Sequence, residues 1–389
     1  MTPSSRAPRF PPWLGVALAL FGCATDDVVA FLGDGGVVSQ DGGQAAFCVR
    51  TGPRVQVGDQ RLACGARFFR YALCSCTTLS FSTAVTADAF DSRSGPYSGG
   101  GPGGSVASHG EIVVSESLDA TGDVVAQTGV SGMGAAPVIR VDGLRSGGPI
   151  GGLHELIVIS DARVAGDVSA ARLTVGGTLT VPAGAVVSSL DGVSTLENAP
   201  VAVVPPCTCG DVFDVTGEVA AHRADNDNAA ASLRADQLLD YGDETRLTLG
   251  CGRYYLDAIR GAGTLELILS GRTAIYVAGD VESGRELFVT LQGSAELDLF
   301  VGGTLVSRGP IRMGDASSAG RIRVFVGGTG SLNLTGPTEI AGHLYAPRAN
   351  LQAAGPLVTY GSVFVGNLAT AAPVDLHFDT ASMNEASCP

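Results

Sequence analysis

The stretch Leu297-Asp-Leu-Phe-Val-Gly-Gly303 decides the fold, because it returns in closely related form as Ile322-Arg-Val-Phe-Val-Gly-Gly328. In both copies aliphatic residues alternate with other residues, which is the pattern of a β-strand. Similar phrases surround them, among them Leu265-Glu-Leu-Ile-Leu269, Leu287-Phe-Val-Thr-Leu291 and Ser362-Val-Phe-Val-Gly366. Repeats this short cannot bury their own apolar faces and must stack. The sequence therefore predicts an all-β fold, a single-stranded right-handed β-helix (solenoid).

The alternation also predicts which side chains point inward. Leu297, Leu299 and Val301 are expected in the core, whereas Asp298 and Phe300 are expected on the outer surface. By this reading Asp298→Asn is tolerated and Leu299→Asp breaks the stack. The glycine pairs after these strands are expected at corners that require positive φ. Turns of roughly 20 residues predict about 11 to 13 turns over roughly 55 Å.

The N-terminus has the features of a signal peptide, residues 1–22. Arg6 and Arg9 precede an apolar stretch that ends at Phe21 and is too short to span a bilayer. Leu20-Phe-Gly-Cys23 resembles a bacterial lipobox, so Cys23 is the predicted lipidation site; the alternative is an ordinary signal peptide followed by an incidental cysteine. Ala24 after that cysteine favours the outer membrane over the inner one. The predicted location is the cell envelope, with the membrane contacted through the lipid anchor.

The composition of the chain argues against two classes of partner. The chain has 55 Gly, no Lys, 16% charged residues and a net charge of −14. Nucleic acid and anionic lipid headgroups both need a basic face, so neither is expected as a partner.

The cysteines predict disulfides. Apart from Cys23, eight remain, an even number that suits an oxidising compartment. These disulfide candidates are Cys48, Cys64, Cys74, Cys76, Cys207, Cys209, Cys251 and Cys388. The favoured pairing joins Cys251 to Cys207 or Cys209. Zinc is the alternative, but structural zinc sites usually place two to four residues between their cysteines, so no metal site is predicted.

The domain organisation follows from shifts in composition. A lipid-anchored flexible linker (23–46) and a Cys-rich subdomain (47–82) precede the first half of the solenoid (83–206). The second half (252–380) and a tail (381–389) complete the chain. Between the halves lies a helical excursion (207–251), because residues 218–224 and 229–239 are rich in Ala and lack Gly. Asp225 and Asp227 between them suit a turn or cap; calcium binding is the alternative, but the other EF-hand positions are missing.

Several phrases resemble an uncharacterised β-solenoid domain of bacterial surface proteins. They are Asp88-Ala-Phe-Asp-Ser-Arg-Ser-Gly-Pro-Tyr97, Gly252-Arg-Tyr-Tyr-Leu256, Gly342-His-Leu-Tyr-Ala-Pro-Arg-Ala349 and Leu376-His-Phe-Asp379. That family is often appended to pilus-assembly-type proteins, and the phrases are similar to a lipoprotein-type branch associated with myxobacteria. The resemblance covers residues 70–380 and implies the fold. It implies no activity, cofactor or site residue.

Three functions stay open: a structural or adhesive surface protein, a glycan-binding module, and a polysaccharide-cleaving β-helix enzyme. The outward positions Asp298, Arg312, Arg323, Asp375 and His377 are scattered, so no catalytic residue is predicted. A ligand face is conceivable where outward or edge aromatics align, at Tyr276, Phe300, Phe325, Tyr345 and Phe364. Otherwise these rings lie beneath residues 218–241 or a terminal segment. Expected partners are extracellular glycan or other surface proteins, with no cofactor.

Overall fold

The computed structural model describes residues 47–48, 55–57, 60–62, 68–210, 213–317 and 319–383. Its strands, numbered in chain order, begin with β1 (Val55–Val57), β2 (Gln60–Leu62), β3 (Leu73–Ser75), β4 (Leu79–Phe81), β5 (Val85–Phe90), β6 (Val106–Ser108), β7 (Glu111–Val114), β8 (Ser117–Ala120), β9 (Val124–Ala126), β10 (Gly129–Gly132), β11 (Val138–Val141), β12 (Leu144–Ser146), β13 (Ile150–Val158), β14 (Ala162–Val164), β15 (Val168–Val181) and β16 (Val193–Asn198). The second series is β17 (Thr245–Leu249), β18 (Gly252–Leu256), β19 (Ile259–Gly261), β20 (Leu265–Leu269), β21 (Arg272–Val277), β22 (Val281–Ser283), β23 (Leu287–Leu291), β24 (Glu296–Val301), β25 (Leu305–Ser307), β26 (Ile311–Met313), β27 (Ile322–Val326), β28 (Ser331–Leu334), β29 (Thr338–Ile340), β30 (Gly342–Ala353), β31 (Leu357–Tyr360), β32 (Ser362–Thr370) and β33 (Val374–Asp379).

Strands β3 to β33 form a three-sided parallel solenoid of about 13 turns, which confirms the predicted all-β solenoid, whereas β1 and β2 form a separate antiparallel pair. Face 1 stacks β17, β20, β23, β26, β29, β31, β33, β5, β8, β11, β13, β15 and β16. Face 2 stacks β18, β21, β24, β27, β30, β32, β3, β6, β9, β12, β14, β15 and β16. Face 3 stacks β19, β22, β25, β28, β30, β32, β4, β7, β10, β13 and β15. Long strands such as β30 and β32 bend at a corner and serve two faces.

The order of the turns in space is not their order in the sequence. β32 pairs with β3 and β4, and β33 pairs with β5, so the last turn of the chain lies directly on the first. We call this junction the seam. From the seam the chain runs to Asn198 at one end of the solenoid, crosses to Thr245 at the other end, and returns to the seam. Residues 73–81, expected in a separate Cys-rich piece, are therefore solenoid strands in its middle.

The inward side chains form continuous apolar ladders, as the alternation predicts. Leu299 pairs in register with Ile275 and Val324, and all three are buried. Glycine is needed at these corners for a different reason from the one expected. φ is not positive at Gly302 or Gly328; instead, a Cβ on Gly328 would lie 2.2 Å from the carbonyl oxygen of Gly303 in the turn below. These corners need glycine because stacked backbones approach closely.

Where it is described, the crossover segment, residues 199–244, contains one regular helix, α1 (Val215–Ala221). The Asp214 side chain caps its first turn by accepting the Gly217 N–H at 3.0 Å. Residues 229–239, expected to be helical, form turns instead. They are held by the edge of the first strands: the Leu238 carbonyl, for example, accepts the Arg260 N–H at 2.8 Å. Tertiary hydrogen bonds have overridden the local helix propensity.

The two ends of the solenoid differ. At the β17–β19 end, the Asn228 side chain bonds both backbone groups of Tyr255, at 2.7 and 2.9 Å, as a neighbouring strand would. Leu233, Leu238 and Tyr241 bury the apolar interior there. At the opposite end β16 pairs only with β15 among the described residues, and most of its side chains are exposed. One end is therefore capped and the other is open.

Some predictions lie outside the described residues. The signal peptide, the Cys23 anchor, the linker, Cys64 and Cys388 belong to this group, as does most of the tail. Within the part of the chain that is described, no helix has the length and apolar character needed to cross a membrane.

Candidate functional site

The five aromatic residues of the conceivable ligand face do align, but they are buried. Tyr276, Phe300, Phe325, Tyr345 and Phe364 occupy one column of face 2. The Phe300 ring centroid lies 4.9 Å from that of Tyr276 and 4.9 Å from that of Phe325, with near-parallel planes. None of the five is more than 6% exposed. The column is a second hydrophobic core and not an open ligand face.

The crossover segment and the N-terminal residues cover this column, and the cover includes crossover residues that precede the expected range 218–241. Phe213 meets Phe325 edge-on at 5.9 Å and donates its backbone N–H to the Tyr345 hydroxyl at 3.0 Å. His222, at the end of α1, stacks on Tyr276 at 3.9 Å. Phe68 packs against Tyr345 from the N-terminal side at 5.0 Å. The aromatic rings hold the crossover segment on face 2.

Three disulfides fasten the same cover among the described residues. They are Cys48–Cys251, Cys74–Cys207 and Cys76–Cys209. The expected pairing of Cys251 with Cys207 or Cys209 is wrong. Cys251 lies in the first turn and joins Cys48, whereas Cys207 and Cys209 lie at the seam and join Cys74 and Cys76. The Cys-x-Cys motifs that suggested zinc supply both Cys74–Cys207 and Cys76–Cys209, so these thiols are not free to bind a metal.

A buried ionic cluster lies beside the aromatic column. Arg323 donates from Nε to Asp298 and from Nη2 to Glu296 at 2.9 Å. Arg272 approaches Asp298 at 4.0 Å, and the Phe47 ring lies 4.6 Å from its guanidinium carbon. Asp298 is 1% exposed and Arg323 is 3% exposed. Both do point out of the solenoid, as parity predicts, but their expected solvation is wrong because both are buried.

The cluster is electrically balanced, with two guanidinium and two carboxyl groups. Burial alone would lower the pKa of Arg323, but the charges of Asp298 and Glu296 and the hydrogen bonds to them raise it above the ordinary arginine value. Burial lowers the pKa of Arg272. These groups compensate one another, which makes the cluster a structural element and leaves no free acid for catalysis at Asp298.

His343 follows Arg323 in the same column and is held neutral. Its ring stacks on Phe69 at 4.5 Å and is 4% exposed. Burial, with a smaller contribution from the Arg323 charge, lowers the pKa of His343 to about 3. A protonated imidazole is therefore disfavoured throughout the neutral range.

A different group of functional residue types meets at the seam on face 1. His377 Nδ1 lies 2.9 Å from Asp88 Oδ1, and the Tyr97 hydroxyl donates to Asp88 Oδ2 at 2.8 Å. The Tyr97 ring stacks on His377 at 3.9 Å, and Tyr360 stacks on the same ring at 5.0 Å. All four residues are partly exposed. Burial and the bond to Asp88 raise the pKa of Tyr97 above its ordinary value.

Of the scattered outward positions, only His377 belongs to this seam cluster (Asp88, Tyr97, Tyr360 and His377). Asp375, on the same strand, accepts a bond from the Thr86 hydroxyl at 2.6 Å. Arg312 pairs with Glu339 at 3.3 Å on the same face. The alternation of residues along a strand could not predict the contact between Tyr97 and His377, since 280 residues separate them. The sequence signal was the resemblance, whose phrases contain Asp88, Tyr97 and His377.

Asp225 and Asp227, the candidates for a calcium site, contact the first turn of the solenoid from the crossover segment. Asp227 accepts the Arg253 backbone N–H at 2.7 Å, and Asp225 lies 3.3 Å from the Arg253 guanidinium. Both carboxylates thus hold the crossover segment against the first turn, consistent with the turn or cap expected there.

Residues 211–385 match a family described as a domain of unknown function (DUF7305). The match covers most of the crossover segment and every strand from β17 to β33, ending just past the seam. The resemblance to an uncharacterised domain is thereby confirmed for this part of the chain. No curated protein and no solved structure matches the sequence.

Proposed function

We propose that this protein is a cell-envelope lipoprotein, exposed at the outer membrane, whose rigid solenoid has a structural or adhesive role. The observation that carries the proposal is the covered face 2. The side chains that could have lined a ligand groove are used to fix the crossover segment, which two disulfides fasten, and a third disulfide, Cys48–Cys251, fastens the N-terminal residues. A body built this way holds its shape along its whole length, as a surface scaffold requires.

The cysteine pairing supports the location. Six described cysteines form disulfides between residues far apart in sequence, and such bonds persist in oxidising compartments outside the cytoplasm. The lipobox-like Leu20-Phe-Gly-Cys23 supplies the anchor in this proposal. Two or more acyl chains are enough for stable membrane attachment.

Replacement of the anchor cysteine tests both parts. Cys23→Ser is expected to move the folded protein from the membrane fraction to the soluble fraction. Cells that carry only this variant are expected to lose the structural or adhesive function of the wild-type protein at the cell surface. Cys388→Ser, which removes the cysteine farthest from the lipobox, is the matched control for location. A Cys23→Ser protein that remains in the membrane fraction would disprove the lipoprotein assignment.

The seam cluster favours glycan binding as the second candidate. Partly exposed aromatic rings beside a carboxylate are the kind of group that packs on a sugar ring and bonds its hydroxyls, and Tyr97, Tyr360 and Asp88 supply them. Tyr360→Ala should then weaken binding to purified envelope polysaccharide at least tenfold, whereas Met133→Ala, at a distant exposed site, should not. Release of reducing ends from that polysaccharide, abolished by His377→Ala or Asp375→Asn, would indicate the cleaving enzyme instead.

A further inference from the structure

Among the described residues, no segment covers the strand edge at the open end of the solenoid. β16 has one charged residue, Glu197, and no Pro within Val193–Asn198; its register against β15 shifts once, between Val193 and Thr195. Soluble proteins usually shield such edges with charges, prolines or covering segments. The same chain shields its other end with Asn228, Leu233 and Leu238. The difference between the two ends suggests that a partner covers β16.

Apolar side chains are concentrated in the same last turn. Val186 is 67% exposed, Leu190 is 46% exposed and Leu196 is 42% exposed. Leu196 belongs to an inward ladder, since it pairs with Leu179. It is exposed only because no further turn lies above it. An occupant that continues the stack would bury Leu196 together with Val187 and Val193, the half-buried inward residues of the same turn.

We propose that the occupant is a second copy of this chain, joined head to head through antiparallel pairing of β16 with β16. A two-fold axis at Leu196 keeps inward residues opposite inward residues and sets Leu196 against Leu196. It sets Glu197 against Thr195, so that the carboxylates do not face each other. The axis also exchanges faces 1 and 3, which brings the Val193 edge of one copy to the Val187 edge of the other.

A second copy fits this end better than a single foreign strand. One strand would extend face 2 and leave the inward residues Val187 on face 3 and Val193 on face 1 uncovered, whereas a second solenoid has the same three-sided outline. Head-to-tail stacking is blocked, because residues 227–241 cap the end that would have to enter. The contact therefore closes as a pair and does not grow into a fibre.

The pair is expected to be weak in solution. Sides of about 18 Å, plus a layer of side chains, give roughly 400 Å² of contact per copy, about half of a standard stable interface. Asp191 and Glu197 give both ends the same negative sign, so added salt should strengthen the pair.

The orientation follows if the protein is the lipoprotein proposed above, on which this step alone rests. The Cys48–Cys251 bond ties the chain that follows the anchor to the capped end. The open end is then the end that does not carry the tether, and head-to-head pairs join copies on facing surfaces. The adhesive role would thus be homophilic.

Crosslinking of the soluble Cys23→Ser protein tests the register. Leu196→Cys should give a disulfide-linked dimer under mild oxidation at about 50 µM, at least tenfold more than Met133→Cys, an exposed control away from the end. Thr195→Cys and Glu197→Cys should crosslink efficiently only when mixed. Equal dimer yields from Leu196→Cys and Met133→Cys would overturn the proposal.

A second measurement does not depend on introduced thiols. Beads that carry the protein through position 23 should cluster, and clustering should be lost with Leu196→Lys and kept with Met133→Lys. Clustering that Leu196→Lys leaves intact would overturn the β16 assignment. Because the beads replace the lipid anchor, neither experiment depends on the fate of Cys23 in cells, and the two proposals can fail separately.

Discussion

Asp88 and His377 are hydrogen-bonded at 2.9 Å although 289 residues separate them. They meet because β33 lies on β5 at the seam, where the last turn of the chain completes the stack on the first. Asp379 strengthens the same junction by accepting the Ser92 N–H at 3.0 Å. The seam is thus a built junction within a solenoid whose chain order is rotated relative to its spatial order.

The seam pair should contribute measurably to stability. His377→Ala and Asp88→Ala are each expected to lower the free energy of unfolding by about 1–3 kcal/mol, because each leaves a partly buried polar group without its partner. A double-mutant cycle should give a coupling of about 1 kcal/mol. The exposed pair Arg312–Glu339 on the same face is the control, with an expected coupling below about 0.5 kcal/mol. Equal coupling in the two pairs would contradict a special role for the seam.

Asp298→Asn should be strongly destabilising, contrary to the expectation from strand alternation alone. The change removes a buried charge that balances Arg323, and breaking such a pair costs about 3–5 kcal/mol. Glu266→Gln, in a half-exposed pair with Arg246, should cost less than about 1 kcal/mol. Guanidinium unfolding at pH 7 compares the two. Leu299→Asp is still expected to abolish folding, since its ladder is entirely apolar.

The fold could be predicted from the sequence because it depends on local regularity. Alternation placed Leu299 inside and Asp298 outside, and both directions are correct. What lies over an outward residue depends on distant segments: Phe47 and Phe213 cover face 2 from positions that no strand pattern relates to it. The aromatic column could therefore be identified as a row, but not as a buried one.

The cysteine pairing could not be predicted for the same reason. Proximity in sequence favoured Cys251 with Cys207, whereas the crossover runs the length of face 2 and carries Cys207 to the seam. Only the rotated order of turns places Cys74 beneath it, and no repeat in the sequence encodes that order.

Stability should depend on His343 below neutral pH. The folded pKa is lowered to about 3, whereas an unfolded histidine titrates near 6.5. As the pH falls from about 6.5 towards 3, the unfolded chain binds a proton that the folded protein excludes. This group then lowers the free energy of unfolding by up to about 1.4 kcal/mol per pH unit.

His343→Phe should flatten this dependence while it keeps the stacking on Phe69. The measurement is the unfolding free energy of wild type and variant at pH 7, 6, 5 and 4, with exposed His154→Gln as the control. If wild type and His343→Phe lose stability in parallel, the histidine is not excluded from protonation.

The two disulfides at the seam should act as one. Cys74–Cys207 and Cys76–Cys209 each span 133 residues and close nearly the same loop. Replacing either pair of cysteines by Ala should lower the free energy of unfolding by less than about 1 kcal/mol. Replacing all four should lower it by about 4–5 kcal/mol, because the loop is then no longer closed in the unfolded chain. Denaturant unfolding of the three variants tests this non-additivity. Strictly additive losses would show that the bonds constrain different segments.

The crossover segment between β16 and the seam should tolerate lengthening but not shortening. Asn198 lies on β16 and Cys207 is bonded to β3, six strand positions away on face 2, or about 29 Å at about 4.8 Å per strand. Nine Cα–Cα steps join them, and fully extended these reach only about 30–32 Å. The segment is nearly taut.

Deletion of Ala202 leaves about 26–29 Å of reach, so either the Cys74–Cys207 bond or the pairing of β16 must give way. We expect a loss of at least about 2 kcal/mol in unfolding free energy, with increased proteolysis in residues 193–206. Insertion of one Gly after Ala202 should cost less than about 1 kcal/mol, because a slightly longer connection adds little loop entropy. Equal losses from deletion and insertion would mean that the connection has slack, and that its composition, not its length, holds β16 in place.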